Sequence, residues 1–385
     1  MPEPVLEAYI AGLRAVGNPA STHAHGQAAS ELLESARERI ADALGCDSAE
    51  VSFTSGGTES VNTAVKGIYW ARRRLGAGPV ILVPEGEHHA TLEAAEWLRD
   101  AQGADLRFLP IDHEGVLHAE VLERAIERAG SDNVALVSFL WANNEVGSVQ
   151  PVQSLVRVAR SAGVPVHVDA VSALGQVPID FRASGASAVS VSAHKIGGPV
   201  GVGALVLGRD VSADPLFHGG SQQRARSGTQ NVAGAVAFAA AMDFAGIHPA
   251  GHGDEEAADR HAHMATLRDR LIAGVRERVP DAVLRGTAPG AGRLPGNAHF
   301  TFPECQGDSL VFLLDAAGIS ASVGSACQAG VAEVSHVLLA MGVPEVEAIG
   351  SLRFTFGADS SVADVEALLA ALPQAVARAR WAGLS

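Results

Sequence analysis

From residue 51 onward the chain alternates short apolar runs with amphipathic segments of helical period, and this alternation restricts its fold more than any other feature. Val51 to Thr54 reads as a strand, and further strands are expected at 80–83, 105–109, 134–139, 165–168, 187–192 and 202–207. Ala/Leu/Arg/Glu-rich helices such as 118–129 and 151–162 separate most of them. Before the first strand, Leu33, Ala36, Ile40 and Leu44 have helical spacing that stops at Gly45. Repeated strand-helix units predict an α/β fold whose mainly parallel sheet is covered on both faces, with ligands bound at the carboxyl ends of its strands. An Ala-rich helix is expected at 229–245. Beyond it Gly246 to His263, rich in Gly, His, Asp and Glu, breaks the pattern and is read as the crossing to a second domain. The expected division is a large domain over 14–245 and a smaller α+β domain made of 1–13 and 246–385.

Composition excludes several classes of function. Lys+Arg 28 against Asp+Glu 43 leaves a formal charge of −15 with no basic run, which argues against nucleic-acid or anionic-membrane partners. No run of about 18 apolar residues is present, and the first residues have no signal-peptide pattern, so a cytoplasmic location is expected. Cys46, Cys305 and Cys327 are three distant cysteines with no Cys-x-x-Cys pair, which fits neither a disulfide framework nor a zinc site. His252, His261 and His263 are irregularly spaced in acidic surroundings and read as a solvated loop, so no metal is expected. Among the 28 basic residues only Lys66 and Lys195 are lysines. A guanidinium keeps its proton in a protein whereas an amine can lose it, so a lysine surviving in an arginine background is a candidate nitrogen nucleophile.

Three stations on strand-to-helix loops carry candidate chemistry. Ser55-Gly56-Gly57-Thr58-Glu59-Ser60 precedes a helix and can present backbone N–H groups to a phosphate; a capped helix start without ligand is the competing reading. Asp169, in His167-Val168-Asp169-Ala170, ends an apolar strand. A carboxylate there needs a cationic partner such as a pyridinium N–H, or else serves as a helix cap. Ser192-Ala193-His194-Lys195, followed by Ile196-Gly197-Gly198-Pro199, supplies an amine for an imine and side chains for a phosphate.

The order and spacing of these stations resemble fold-type I pyridoxal-5′-phosphate (PLP) enzymes. With Gly17–His23, Glu87-His88-His89, Ala142–Gly147, Arg226-Ser227-Gly228-Thr229, Gly324-Ser325-Ala326-Cys327 and Leu352-Arg353-Phe354, the chain resembles over almost its whole length the class V aminotransferase family and, within it, the cysteine desulfurases. The resemblance implies an aspartate aminotransferase-like fold and PLP bound by Lys195 as a Schiff base. It assigns Gly57, Thr58, Ser192 and His194 to the phosphate, with Thr229 reaching it from the other subunit of a homodimer. It gives Asp169 to the ring nitrogen, His88 to stacking and proton transfer, and Asn144 and Arg353 to the substrate carboxylate. L-Cysteine would yield alanine and a persulfide on Cys327, for transfer to acceptor proteins. The small-residue run around Cys327 resembles the long-loop group, and Cys46 and Cys305 are expected to be structural. Ser172 stands where the family usually has a Gln against the cofactor's phenolic oxygen, and Gln223–Arg226 runs one residue short of the usual spacing. A selenocysteine lyase, another lyase or aminotransferase of the family, and a non-catalytic scaffold are the alternatives.

Overall fold

Val80–Pro84 shows how the strands arise, because all five residues are buried and Val, Ile and Leu dominate, as expected where helices cover both faces of a sheet. The computed structural model describes residues 1–220, 223–248, 255–324 and 334–383. Its larger sheet contains β1 (Val51–Thr54), β2 (Val80–Pro84), β3 (Asp105–Leu109), β4 (Val134–Leu140), β5 (Val166–Asp169), β6 (Ala188–Ser192) and β7 (Gly203–Leu207). Their order is β1-β7-β6-β5-β4-β2-β3. β7 runs antiparallel to both neighbours, and the other described pairings in this sheet are parallel. The link from β6 to β7 is too short for a crossover helix, so the chain must return antiparallel. β3 lies at an edge and carries Asp105 and Arg107, which make it a poor template for further strand pairing.

Among the described residues, eight α-helices accompany this sheet: α1 (Glu3–Arg14), α2 (Ala24–Leu44), α3 (Gly57–Arg74), α4 (His89–Gln102), α5 (Ala119–Ala129), α6 (Val152–Ser161), α7 (Phe181–Ser184) and α8 (Val232–Phe244). α2 begins where the His23 ring accepts the Gly26 N–H and ends at Gly45 in the left-handed region, the usual helix terminator. α8 is almost entirely Ala, Val, Gly, Met and Phe, and packs against α1 and α2. A Cβ on Gly12 would lie 2.8 Å from Ala233 Cα, so the contact between α1 and α8 depends on that glycine.

Met1–Leu109, His118–Trp141 and Pro151–Ala257 form one compact unit, and Pro110–Leu117, Ala142–Gln150 and Ala258–Ser385 form a second. Residues 1–13 therefore lie with the first unit, not with the second domain as expected, because α1 has its buried side in contact with α8. The stretch 246–263 is likewise not irregular throughout: α9 (Glu255–Arg278) starts inside it. There His263 Nε2 lies 2.8 Å from the Ser360 carbonyl oxygen. His252 falls outside the described residues, and none of the described residues forms a metal-ligating group.

The second unit has a three-stranded antiparallel sheet, β8 (Val283–Arg285), β9 (Asn297–Thr301) and β10 (Ser351–Thr355), in the order β10-β9-β8. Its helices are α9, α10 (Gly307–Asp315), α11 (His336–Ala340), α12 (Glu345–Ala348) and α13 (Val362–Gly383). Leu352, Phe354, Ala298 and Phe300 pack with Leu267, Leu271, Leu369 and Leu372 in an apolar core. The opposite face of this sheet is polar. The segment 142–150 is tied into this unit by Gln150, whose amide oxygen accepts the Leu117 N–H and whose amide nitrogen donates to the Gly115 carbonyl. No helix among the described residues is long and apolar enough to cross a membrane.

Candidate functional site

Strand direction gathers the first group of predicted residues. β1, β2, β5 and β6 all end at one edge of the sheet, and from those ends depart Gly56-Gly57-Thr58, Glu87-His88, Asp169–Ser172 and Ser192–Lys195. Gly56 has φ 150°, and a Cβ built on it would sit 3.8 Å from Ser192 Oγ. A Cβ on Gly57 would come 2.6 Å from Val171 Cγ2. The glycine loop, the Asp169 loop and the end of β6 are thus immediate neighbours. Gly57 opens α3, so its N–H belongs to the unpaired first turn that suits an anion.

Each side chain has a defined setting. Asp169 is buried; one of its oxygens accepts the Val171 N–H at 2.9 Å, and desolvation pushes its pKa from 3.8 up to about 6, with the Val171 bond and Lys195 opposing the rise. Glu87, the residue before His88, is buried and accepts the Leu140 N–H at 2.9 Å. Burial, with Asp169 adding repulsion and the Leu140 bond opposing, holds its carboxyl well above the usual range. His167 lies inside the sheet between Ser138 Oγ and Ser190 Oγ, each 2.8 Å away, and burial lowers its pKa to about 3. It supports β5 and does not titrate near neutrality.

Ser192 Oγ and His194 Nδ1 are 2.8 Å apart, and burial followed by the Lys195 charge keeps His194 below its ordinary pKa. Lys195 follows on a 3-10 turn after β6, with its side chain exposed. The other lysine, Lys66, lies on α3 with Nζ 4.4 Å above the Trp97 ring, a packing role remote in character from imine chemistry. His88 caps α4: its Nδ1 accepts the Ala90 N–H at 3.0 Å, which fixes the ring and leaves the proton of the neutral imidazole on Nε2. Thr58 is exposed and Ser172 half-buried.

Thr229 is exposed, and the segment before it is anchored beside β1. Gln223 brackets Phe53, accepting its N–H at 2.9 Å and donating to its carbonyl at 2.6 Å. Arg224 donates to the Leu207 and Gly208 carbonyls. Between these anchors and Arg226, Ala225 takes φ 59°, the left-handed region that costs an L-residue about 1–2 kcal/mol. Arg226 then pairs with Glu59 at 2.9 Å, and Glu59 also accepts the Ser55 N–H at 2.8 Å. Burial opposes ionisation of Glu59, but these bonds prevail and its pKa is lowered.

These residues suit a phosphorylated pyridine aldehyde. Gly56 leaves room that a side chain would fill, Gly57 presents its backbone where no side chain fits beside Val171, and a desolvated carboxylate at a strand end calls for a cationic partner. A lysine stands at the adjoining strand end. The cofactor would be held wholly by residues of the first unit.

The second group lies in the second unit. Asn143 Oδ1 accepts the N–H groups of Glu145 and Val146, a tight turn that fixes Asn144 between Asn143 and Glu145. The Asn144 carbonyl accepts a bond of 2.9 Å from Arg353 Nη1. Arg353 is half-buried on β10, and its Nε has no hydrogen-bond partner among the described residues, so the guanidinium retains donors for an anion. Cys327 lies outside the described residues. Cys46 and Cys305 are buried free thiols; burial pushes Cys46 up to about 12 and raises Cys305 as well, which makes both poor nucleophiles. Glu87 and Glu145 carry no predicted role although both sit in recognised motifs. Their signal was a carboxylate flanked by segments that bury their neighbours.

The sequence profile of the aminotransferase class-V family matches residues 1–368. An IscS-like cysteine desulfurase of Mycobacterium tuberculosis is 52% identical over 384 residues, covering 99% of this chain and 94% of that protein. A cysteine desulfurase IscS of Methanosarcina thermophila is 40% identical, covering 94% and 86%. A solved NifS-like protein superposes with a TM-score of 0.87 at 34% identity, covering 98% of this chain and 96% of the other. With its glycine loop, Asp169 and Lys195 gathered at the carboxyl edge of the large sheet, the chain belongs to the aminotransferase class-V family.

Proposed function

We propose that the protein is a PLP-dependent cysteine desulfurase that removes sulfur from L-cysteine, releases L-alanine and carries the sulfur as a persulfide on Cys327. The observation that carries this reading is the convergence of Gly57, Asp169, Ser192, His194 and Lys195 on one edge of the sheet, together with the desulfurases among the relatives.

When bound, PLP supplies an electron sink for the carbon skeleton of the substrate. Lys195 would hold it covalently, and the Gly57 N–H, Thr58, Ser192 and His194 would hold its phosphate, joined by Thr229 of a second subunit. Asp169 would keep the ring nitrogen protonated, with Ser172 near the phenolic oxygen through a water. His88, oriented by its bond to Ala90, would stack on the ring and exchange protons at Nε2. Asn144 and Arg353 would bind the substrate carboxylate, for which a guanidinium offers a matching fork. The Cys327 thiolate forms a bond to the substrate sulfur as that sulfur leaves carbon; the carbon fragment takes up protons and departs as alanine. A cytoplasmic homodimer that passes its persulfide to acceptor proteins completes the reading, on the strength of the family resemblance.

The test is a visible absorption spectrum of the purified protein before and after L-cysteine. A yellow protein whose band changes on adding cysteine, with alanine formed, supports the proposal. A colourless protein that PLP does not reconstitute contradicts it.

A further inference from the structure

A sheet face in a small unit is normally either apolar and packed or polar and wet, yet the second sheet of this protein has a face whose centre is polar and buried. Ser351 and Arg353 on β10, Asn297, His299 and Thr301 on β9, and Arg285 on β8 share that face by their pairing register. Ser351, Asn297, His299 and Thr301 are buried. His299, opposite both Arg353 and Arg285, is fully buried, and neither ring nitrogen has a hydrogen-bond partner among the described residues. An unsatisfied buried polar group costs about 1–3 kcal/mol, so such a face calls for a purpose beyond stability.

Glu145 lies against this face. Its backbone carbonyl accepts from Asn297 Nδ2 at 3.0 Å, and its Oε2 accepts from Ser335 Oγ at 2.5 Å. Ser335 caps α11 by accepting the Leu338 N–H. A Cβ on Gly324 would lie 3.0 Å from that same Glu145 Oε2, 3.1 Å from His299 Nε2 and 3.1 Å from Ser351 Oγ. Gly324 therefore rests in a polar seat that admits no side chain without displacement. One residue pair connects the seat to the substrate group: the Arg353 N–H donates to the Ser322 carbonyl at 2.7 Å, and the Ser322 N–H donates back at 3.2 Å. Gly324 and Ser335 flank the stretch of sequence that contains Cys327.

We infer that Glu145 is a positioning residue for sulfur transfer: its carboxylate oxygen holds Ser335 by a hydrogen bond and, with His299 and Ser351, packs closely against Gly324, the two residues lying on either side of Cys327 in the sequence. This deepens the proposed function and rests on it for the role of Cys327. In this role Glu145 acts through Ser335, which it accepts from, and through Gly324, which it packs against. Burial raises its pKa to about 7, with Ser335 and Arg353 opposing, and holds the neighbouring His299 neutral at about 3. Acceptance of the Ser335 hydroxyl, which a neutral amide also provides, is accordingly the function required of it.

The experiment uses the full-length holoenzyme with Glu145→Ala, Glu145→Gln and Gly324→Ala. Two rates are read by mass spectrometry: iodoacetamide alkylation of Cys327 without substrate, and persulfide formation on Cys327 with L-cysteine. The cysteine concentration that half-saturates the visible spectral change is measured in parallel. Misplacing a reacting group by about 1 Å costs on the order of a hundredfold, so Glu145→Ala and Gly324→Ala are expected to slow persulfide formation about tenfold to a hundredfold. They should also change the alkylation rate several-fold, with half-saturation within about twofold. Glu145→Gln should restore both rates, since its amide oxygen still accepts from Ser335. Wild-type alkylation and persulfide rates in both Glu145→Ala and Gly324→Ala overturn the inference, as does equal loss of spectral half-saturation and sulfur transfer. Should Glu145→Ala fail to fold, Gly324→Ala decides alone. If the wild type itself forms no persulfide on Cys327, the proposed function fails, while the alkylation rates still test the seat.

Discussion

Asp169→Asn separates the cost of a desolvated carboxylate from its use. In the protein without cofactor, burial raises the Asp169 pKa from 3.8 to about 6, which corresponds to about 3 kcal/mol of penalty on the ionised form. For an acid whose folded pKa is raised, the stabilising contribution is complete below the unfolded pKa of about 4 and is lost as pH rises through about 6. At pH 7.5 the wild-type apoprotein bears the whole penalty. The asparagine variant bears none of it and can still accept the Val171 N–H. Apo Asp169→Asn is therefore expected to melt a few degrees above apo wild type at pH 7.5, at roughly 2 °C per kcal/mol for a chain of this size. The advantage should shrink as pH falls toward 4.

PLP reverses the order if Asp169 meets its ring nitrogen. A charge-assisted hydrogen bond is worth about 1.5–3 kcal/mol, so cofactor binding should raise the wild-type Tm more than the variant's. The assay is scanning calorimetry of both proteins with and without PLP, at several pH values. An apo variant no more stable than wild type at pH 7.5, or equal gains on adding PLP, would refute the reasoning.

Lys195→Ala should abolish the visible imine band and turnover, because Lys66 is engaged on Trp97; a borohydride-reducible PLP adduct in that variant would contradict the assignment. His88→Ala should destabilise the protein by about 1 kcal/mol through loss of the α4 cap, whereas His88→Asn keeps a good cap and should lose activity alone; thermal melts beside turnover rates separate the two effects. Arg353→Lys keeps the charge but loses the planar fork, and the substrate half-saturation should rise about tenfold, which a cysteine titration measures.

The strands were legible because their environment is uniform. Runs such as Val80–Val83 and Val134–Phe139 are buried on both faces, so a continuous apolar stretch was sufficient, and the ends shift by only one residue. α1 was not read because, between Pro2 and Arg14, it buries few side chains, and its packing depends on Gly12 meeting Ala233. The start of α9 was hidden for the opposite reason: Glu255–His263 is charged and His-rich, a composition shared by exposed helices and loops. Of the candidate site, the residues at strand ends were legible since strand polarity alone directs them to one edge. Glu87, Glu145 and His299 were not, because residue type shows a charge but not its burial. Burial of Glu145 depends on Asn297 and Ser335, about 150 and 190 positions away.

The most direct test of sulfur transfer is mass spectrometry of the wild-type protein after exposure to L-cysteine, with peptide mapping of all three cysteines and alanine measured in the same sample. A single added sulfur on Cys327, absent in Cys327→Ser although that variant still binds PLP and responds spectrally to cysteine, is the predicted result. The buried Cys46 and Cys305 should remain unmodified. Sulfur on Cys46 or Cys305, or alanine accumulating with none on Cys327, contradicts the account.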